Sequence, residues 1–452
     1  MKKGMFFALA ASSLLFSACS SDDAVVSTEG QNEAVQQIVL HVASSGDGLT
    51  TRAGRPLYSS QALQTIQNVR VMIYKNETGG GEKTIVYDKK LNWKESTTYN
   101  TNGHGRQFTI SLKGDDRLEK GSYKVMAVGY SDNSDYTYAL DVKGQAALTG
   151  STYSDITATL EAGKVAEEVF AGDADLKIGT DKKITNLTSN EEDGVAVTLH
   201  RQVAGSFGYF SNIPAHVNGK DAKTLCLVVR GKNDKLTFNH FNSSFTTTGN
   251  TIQYYVNGST STNAALVTDA QFKDGSNGYV LYTINLNDWF KNGDTNHDGV
   301  LTNDDGWTHP TNVKTTIVKG SVFGSSFIIP FALTHKKSTM ELQLLDNTGD
   351  IIKTWPVSIP EVNSNTENGN VADESASIFN VVRNHMYNLG VKTSNGTTTP
   401  PDPTNPDPDP TNPDPDKPDP DTDQPEDLTK SQNLILKVND NWEAIHKLVL
   451  GD

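Results

Sequence analysis

About fifteen short runs of β-branched, aromatic and other apolar residues recur between Val69 and Val391, and they constrain the fold more than any other feature. They include Val69–Tyr74, Thr84–Tyr87, Phe108–Leu112, Ser122–Tyr130, Thr157–Leu160, Val195–Leu199, Gly208–Ile213 and Leu225–Arg230. Later come Gln253–Val256, Tyr279–Leu286, Thr315–Val318, Phe327–Phe331, Met340–Leu345, Ile351–Val357 and Met386–Val391. Turn clusters such as Gly79–Gly81 and Asp346–Asp350 separate them, and no stretch holds a helical period beyond a turn or two. The spacing predicts an all-β chain of two antiparallel β-sandwich domains with roughly seven strands each. The segment HRQVAGSFGYFSNIP passes from one strand to the next near Gly205, which divides the body into 53–204 and 205–393.

Both ends differ from this body. Lys2 and Lys3 precede the apolar run MFFALAASSLLF, and small residues then lead to Cys19. Residues 1–18 therefore read as a secretory signal, too short and wrongly flanked for a membrane span. Phe16-Ser17-Ala18-Cys19 resembles a bacterial lipobox, which implies lipidation of Cys19; plain signal cleavage is the alternative. Ser21-Asp22-Asp23 looks like the acidic export signal of Bacteroidota surface lipoproteins. Gln37–Val42 alternates as a strand, and the Gly/Ser/Thr-rich loop after it carries Arg52 and Ala53 in TTRAG, the kind of loop proteases cut.

At the other end, Pro and Asp interleave through 394–429, an extended tract with no core. At ~3.1 Å per residue it can span on the order of 90 Å. Beyond it, 430–452 is apolar again: Leu434, Leu436 and Val438 alternate with polar or opposite-face residues, and Trp442, Leu448 and Leu450 follow. So short a segment makes no core alone and needs a groove to lie in.

Charge and cysteine content exclude several classes. The net charge of −15 offers no basic stripe to release counterions, so nucleic acid is not an expected partner. Of two cysteines, Cys226 stands alone in the apolar run LCLVV and reads as a core thiol. No HExxH, GxSxG or C-x-x-C is present, and no spacing selects a pair of carboxylates for acid/base work, so the chain does not read as an enzyme. One loop carries metal-ligand spacing. Asp294, Asn296, Asp298, Gly299, Val300 and Asp305 match positions 1, 3, 5, 6, 7 and 12 of an EF-hand loop, and resemble the calcium half-loop of dockerins. One structural Ca2+ is the expectation there, with a bare Asn/Asp/Gly turn as the open alternative.

Taken together the chain resembles the fimbrillin family of Bacteroidales, the type V pilins that include FimA-like major and minor subunits. The resemblance rests on the lipobox with Cys19, the strand before Thr51-Arg52-Ala53, GSYKVMAVGY at Gly121–Tyr130, and Glu168–Gly172 followed by Leu199–Ala204. It continues in Phe379–Tyr387 and in the Leu-x-Leu-x-Val…Trp tail at Leu434–Trp442. It implies transthyretin-like sandwiches, a propeptide 19–52 with a removable strand, and cleavage after Arg52 by a trypsin-like protease. The tail 430–452, with Leu434, Leu436, Val438, Trp442, Leu448 and Leu450, would then serve as donor strand to another copy or a related pilin subunit. The implied role is a stalk or adaptor pilin supporting adhesion, held by lipid in the outer membrane as precursor and then displayed in an extracellular fimbrium. The rival is a lipid-anchored glycan- or host-binding surface lipoprotein. The family's tail follows its body more closely than a long Pro/Asp spacer allows.

Overall fold

A computed structural model of the chain describes residues 36–42, 66–75, 84–98, 106–140, 143, 156–162, 164–189, 196–229, 231–238, 264–266, 279–311, 313, 317–333, 340–358, 372–373, 378–381, 386–391, 423–430, 434–435 and 437–439. The chain divides into Met1–Ala34, where no residue is described, and Val35–Asp452, one compact unit. The signal segment, Cys19, Arg52, Ala53 and the run Gln253–Val256 lie outside the described residues.

The first eleven strands are β1 (Gln36–Val42), β2 (Asn68–Lys75), β3 (Thr84–Asn92), β4 (Thr97–Thr98), β5 (Arg106–Leu112), β6 (Gly121–Tyr130), β7 (Tyr136–Ala139), β8 (Thr157–Leu160), β9 (Phe170–Ile178), β10 (Ile184–Ser189) and β11 (Ala196–Arg201). Nine of them form one sheet in the order β3-β2-β6-β9-β11-β1-β5-β4, with β10 on β9. Its middle is covered on both faces. Val69, Val71 and Ile73 of β2 enter one core with Ile38, Leu40, Val125, Leu176 and Val197, whereas Met72 and Tyr74 enter the other. This double coverage explains why β2 and β6 read as nearly continuous apolar runs and not as strict alternations.

The later strands are β12 (Ala204–Ser211), β13 (Ile213–Pro214), β14 (His216–Val217), β15 (Lys220–Asp221), β16 (Thr224–Val229), β17 (Gly231–Asn233), β18 (Lys235–Thr237), β19 (Ala264–Leu266), β20 (Tyr279–Asn285), β21 (Val300–Leu301) and β22 (Val322–Ile328). They continue as β23 (Phe331–Leu333), β24 (Met340–Leu345), β25 (Ile351–Ser358), β26 (Ala372–Asp373), β27 (Ile378–Val381), β28 (Met386–Leu389), β29 (Glu426–Asp427), β30 (Leu434–Ile435) and β31 (Lys437–Asn439). A one-turn α-helix, α1 (Leu286–Trp289), starts where Asn285 caps the end of β20 by accepting from Asn287 N–H. Two five-stranded sheets, β22-β12-β28-β31 with β29 on β12 and β20-β16-β24-β25-β30, share one core that includes Phe207, Tyr209, Leu225, Leu227, Leu342, Trp355 and Tyr387. They approach closely at Gly208, where an added Cβ would meet Tyr282 Oη at 2.2 Å. The chain is therefore an all-β, sandwich-type fold. Strand β18 completes the small sheet β18-β8-β7, so residues after Gly205 also help to cover the back of the first sheet.

Three features differ from the expectation. The sheets are mixed: β1 with β11, β12 with β28, β12 with β29 and β25 with β30 are parallel pairs. Three of these four involve a segment from near one end of the chain. A parallel neighbour cannot be joined by a tight hairpin, so these segments enter the sheets as insertions from a distance. Ile317 and Val318, placed in a strand by composition, form none, because Val318 N–H donates to Tyr209 Oη at 2.8 Å and its carbonyl accepts the Ser321 turn bond. Finally, Asp423–Lys430, seven residues of which fall in the Pro/Asp tract assigned to 394–429, pack on the body. Gln424 and Val391 exchange backbone bonds at 2.8 Å, β29 pairs with β12, and Leu428 is buried. Composition marked this segment as extended; it is so up to Asp427 and then turns over Leu428–Lys430, and its backbone finds ladder partners and its one leucine the core.

Candidate functional site

The first candidate is the place that β1 occupies. Its sequence QQIVLHV alternates, and Ile38 and Leu40 are 0% exposed in the first core while Val39 and His41 are half-buried. All seven residues pair antiparallel with β5, and Val39–Val42 also pair parallel with Ala196–Leu199 of β11. Removing β1 would therefore uncover two sheet edges at once and part the sheet between β11 and β5. Its start is pinned by Gln36, which is 1% exposed. The amide Nε2 donates to the carbonyls of Leu118 (2.8 Å) and Lys182 (2.7 Å), and its Oε1 accepts from Leu118 N–H at 2.8 Å. The strand starts one residue before the alternation at Gln37–Val42, and this glutamine is not among the residues the sequence singles out. The signal was there, since Gln36, Ile38 and Leu40 share one phase and a polar residue in the buried phase needs partners. The link from β1 to Ile66 carries Arg52 and Ala53 and lies outside the described residues.

The second candidate is the C-terminal segment. Leu434 is 0% exposed and sits in the larger core; β30 lies on the edge of β25, with Leu434 opposite Val357. Strand β31 lies on the edge of β28, where Val438 faces Tyr387 in the ladder. Of the expected donor residues, Leu434 and Val438 are thus engaged within their own chain, on a different pair of sheets from β1. Leu436, Trp442, Leu448 and Leu450 lie outside the described residues. The approach to this segment is held by Asp427. It accepts from Asn212 Nδ2 (2.8 Å), Thr429 N–H (3.0 Å) and Thr429 Oγ1 (2.6 Å), and Lys430 Nζ is 2.9 Å away. Burial pushes the Asp427 carboxyl up, but the donors Thr429, Lys430 and Asn212 outweigh it and hold the group well below the usual carboxylate range. Tyr209 Oη donates to Asp423 at 3.2 Å, and burial raises that phenol.

The third candidate is the loop from Asp294 to Asp305. Gly299 N–H donates to Asp294 Oδ2 (2.9 Å), Asp298 N–H to Asn296 Oδ1 (2.9 Å) and Val300 N–H to Asp298 Oδ1 (2.8 Å). Asp305, fully buried, accepts from Thr295 N–H on Oδ1 (2.9 Å) and from Thr302 N–H on Oδ2 (2.8 Å), which closes the loop on itself. Burial pushes its carboxyl up; the N–H donors of Thr302, Thr295 and Asn296 outweigh that and lower it. Beyond the seventh position, Leu301 is buried and β21 pairs with β13, so the loop is anchored in the core. His216 Nε2, a neighbour that sequence spacing did not suggest, lies 3.2 Å from Asp294 Oδ2. Among the described residues no three His, Cys, Asp or Glu side chains form a ready-made cage.

Two further points bear on the site as a whole. Cys226 is buried, and burial raises its thiol. Among the described residues no helix is long and apolar enough to cross a membrane.

What these elements define is an all-β protein whose N-terminal strand is inserted in mid-sheet and whose C-terminal segment rests on two sheet edges. No family model and no curated protein matches the chain. Among solved structures it is similar to a fimbrial assembly protein from Parabacteroides distasonis, at 13% identity over 80% of this chain and 93% of that one, with a TM-score of 0.31. It is likewise similar to the fimbrial anchor protein Mfa2 from Porphyromonas gingivalis, at 8% identity over 79% of this chain and 90% of that one, with a TM-score of 0.31.

Proposed function

We propose that this chain is a structural subunit of a cell-surface fimbrium, a stalk or adaptor pilin that supports adhesion and assembles by strand exchange. In this reading Cys19 is lipidated and delivers the precursor to the outer membrane. A trypsin-like protease then cuts after Arg52, and β1 leaves with the anchor. The segment 430–452 of another copy, or of a related subunit, enters the vacated place by strand addition.

The observation that carries the reading is the position of β1. It is a central strand, yet it is joined to the remainder only through 43–65, the stretch that contains Arg52. Its loss leaves unpaired N–H and C=O groups on β5 and β11 beside an apolar trench lined by Ile110, Val197 and Leu199, which is costly in water. The same comparison indicates why a tail would leave its present seat. The two residues of β30 and the three of β31 each pair along one side only. A strand in the place of β1 pairs along both sides. At ~0.5–1.5 kcal/mol per ladder bond, the double-sided position is the better one for a donor.

The test is the N-terminus of surface-extracted protein, together with polymer ladders from a chain lacking 430–452. An N-terminus at Ala53, with ladders lost on deletion, is expected. A lipidated Cys19 N-terminus on surface-displayed protein overturns the strand-exchange reading and fits a tethered binding lipoprotein. Undiminished ladders from the deleted chain would refute the donor role.

A further inference from the structure

We propose that the loop Asp294–Asp305 binds one divalent cation of the calcium class, through the side chains of Asp294, Asn296 and Asp298 and the carbonyl of Val300. The inference is independent of the fimbrial reading. The observation that points to a ligand is at Asp294, whose side chain is 3% exposed. Its Oδ2 accepts from Gly299 N–H and faces His216, but its Oδ1 is buried with no hydrogen-bond partner. Because Oδ2 reaches across to the sixth position of the loop, the carboxylate is turned inward over it. A buried carboxylate oxygen without a donor is a costly state that a cation relieves. No lysine or arginine relieves it, since His216 is the one basic group in ion-pair contact with Asp294 among the described residues.

The surroundings suit a hard cation. Asp294, Asp298, Asp304 and Asp305 lie within twelve residues that contain no lysine or arginine. Positive φ at His297 (59°) and Gly299 (85°) folds the chain back on itself, as an oxygen cage of this spacing requires. Pairing of Leu301 with Ile213 fixes the far side. The donors are all oxygen, without thiol or required imidazole, which favours calcium over zinc. The carboxylates do not yet converge, and the reason is specific. Asp298 Oδ1 is occupied by Val300 N–H, and Asp305 uses both oxygens on backbone donors. Cation binding therefore draws Asp298 inward, keeps Asp305 as the brace that holds the loop closed, and leaves water to complete the shell.

The test is calorimetric titration of the chelator-treated full chain with calcium chloride, in parallel with magnesium chloride and with terbium emission excited through Trp307. One calcium site is expected, with a Kd of about 10⁻⁴–10⁻³ M as in extracellular modules, and magnesium at least about tenfold weaker because it demands tighter octahedral geometry. Asp294→Asn should weaken calcium at least about tenfold, while Asp350→Asn, in the separate turn after β24, leaves it unchanged. Asp298→Asn, at an exposed position, replaces Asp294→Asn if that chain does not fold. A folded chain that gives neither calcium heat nor terbium emission at millimolar metal overturns the proposal. So does wild-type affinity in the loop variants.

Discussion

Leu40→Ala is the most informative single change, because it weakens the occupant of the β1 position without touching the lips of the slot. Leu40 is 0% exposed and lies between Phe108 of β5 and Val197 of β11 in the ladder. Truncating a buried leucine to alanine costs about 2–5 kcal/mol, depending on how far the site collapses. Here ladders on both sides restrain that collapse, which favours the upper part of the range. At about 1.4 kcal/mol per decade, this raises the population of chains with β1 released by about thirtyfold to a few thousandfold. The assay is hydrogen exchange of the uncut chain, read on β1, β5 and β11, with urea unfolding alongside. Protection should fall on all three strands together, and the urea midpoint should fall with it. Val39→Ala, at a half-buried position of the other phase, should cost well under half as much. Unchanged protection on β5 and β11 in Leu40→Ala would mean that β1 is not a cooperative part of the sheet. Its proposed removal would then create no vacancy.

Two further outcomes follow from named contacts. Glu168 and Arg201 form a buried pair, with Nη2 and Nε each 2.8 Å from Oε1 and side chains 9% and 5% exposed. Glu168→Gln should cost about 3–5 kcal/mol by urea unfolding, because the guanidinium keeps its charge but loses the carboxylate, and joint replacement by Leu and Met should recover most of it. Asp427 gives an acid dependence. Its folded carboxyl is held below its unfolded value, so its contribution is fully present above the unfolded pKa of about 4 and is lost as pH falls through the lower folded value. Limited proteolysis should find Asp423–Lys430 released in strong acid, and Asp427→Asn should loosen it at neutral pH; protection unaffected by either change would refute the clasp.

Most of the strands were legible because period-two alternation and β-branched or aromatic content are local properties of a chain. Gln37–Val42 and Met340–Leu345 could be read from alternation, and Val69–Tyr74 and Ser122–Tyr130 from their apolar, β-branched and aromatic content. The turn at Asp294 was legible too, since closely spaced Asn, Asp and Gly are a local pattern. By contrast, Ile317–Val318 looked like a strand and is none, because a tyrosine more than a hundred residues earlier takes its N–H. The seven residues from Asp423 to Thr429 looked like the end of a coreless linker, yet Val391, β12 and the core receive them.

From the residues alone came most of the strands, the buried face of those that alternate, and the need of an apolar piece at either end for a groove; β9 and β10 were not among the runs read as strands. Tertiary structure alone decided where those grooves are: β1 in mid-sheet between β11 and β5, and the tail on the edges of β25 and β28. It also decided that Asp294 carries an orphan oxygen and that the Gln36 amide makes three hydrogen bonds, to Leu118 and Lys182. The physical reason is that alternation specifies a strand's two faces but not its two edges. Edge pairing uses backbone groups that every residue possesses, so the neighbour is chosen by the packing of the whole and not by the segment's own side chains.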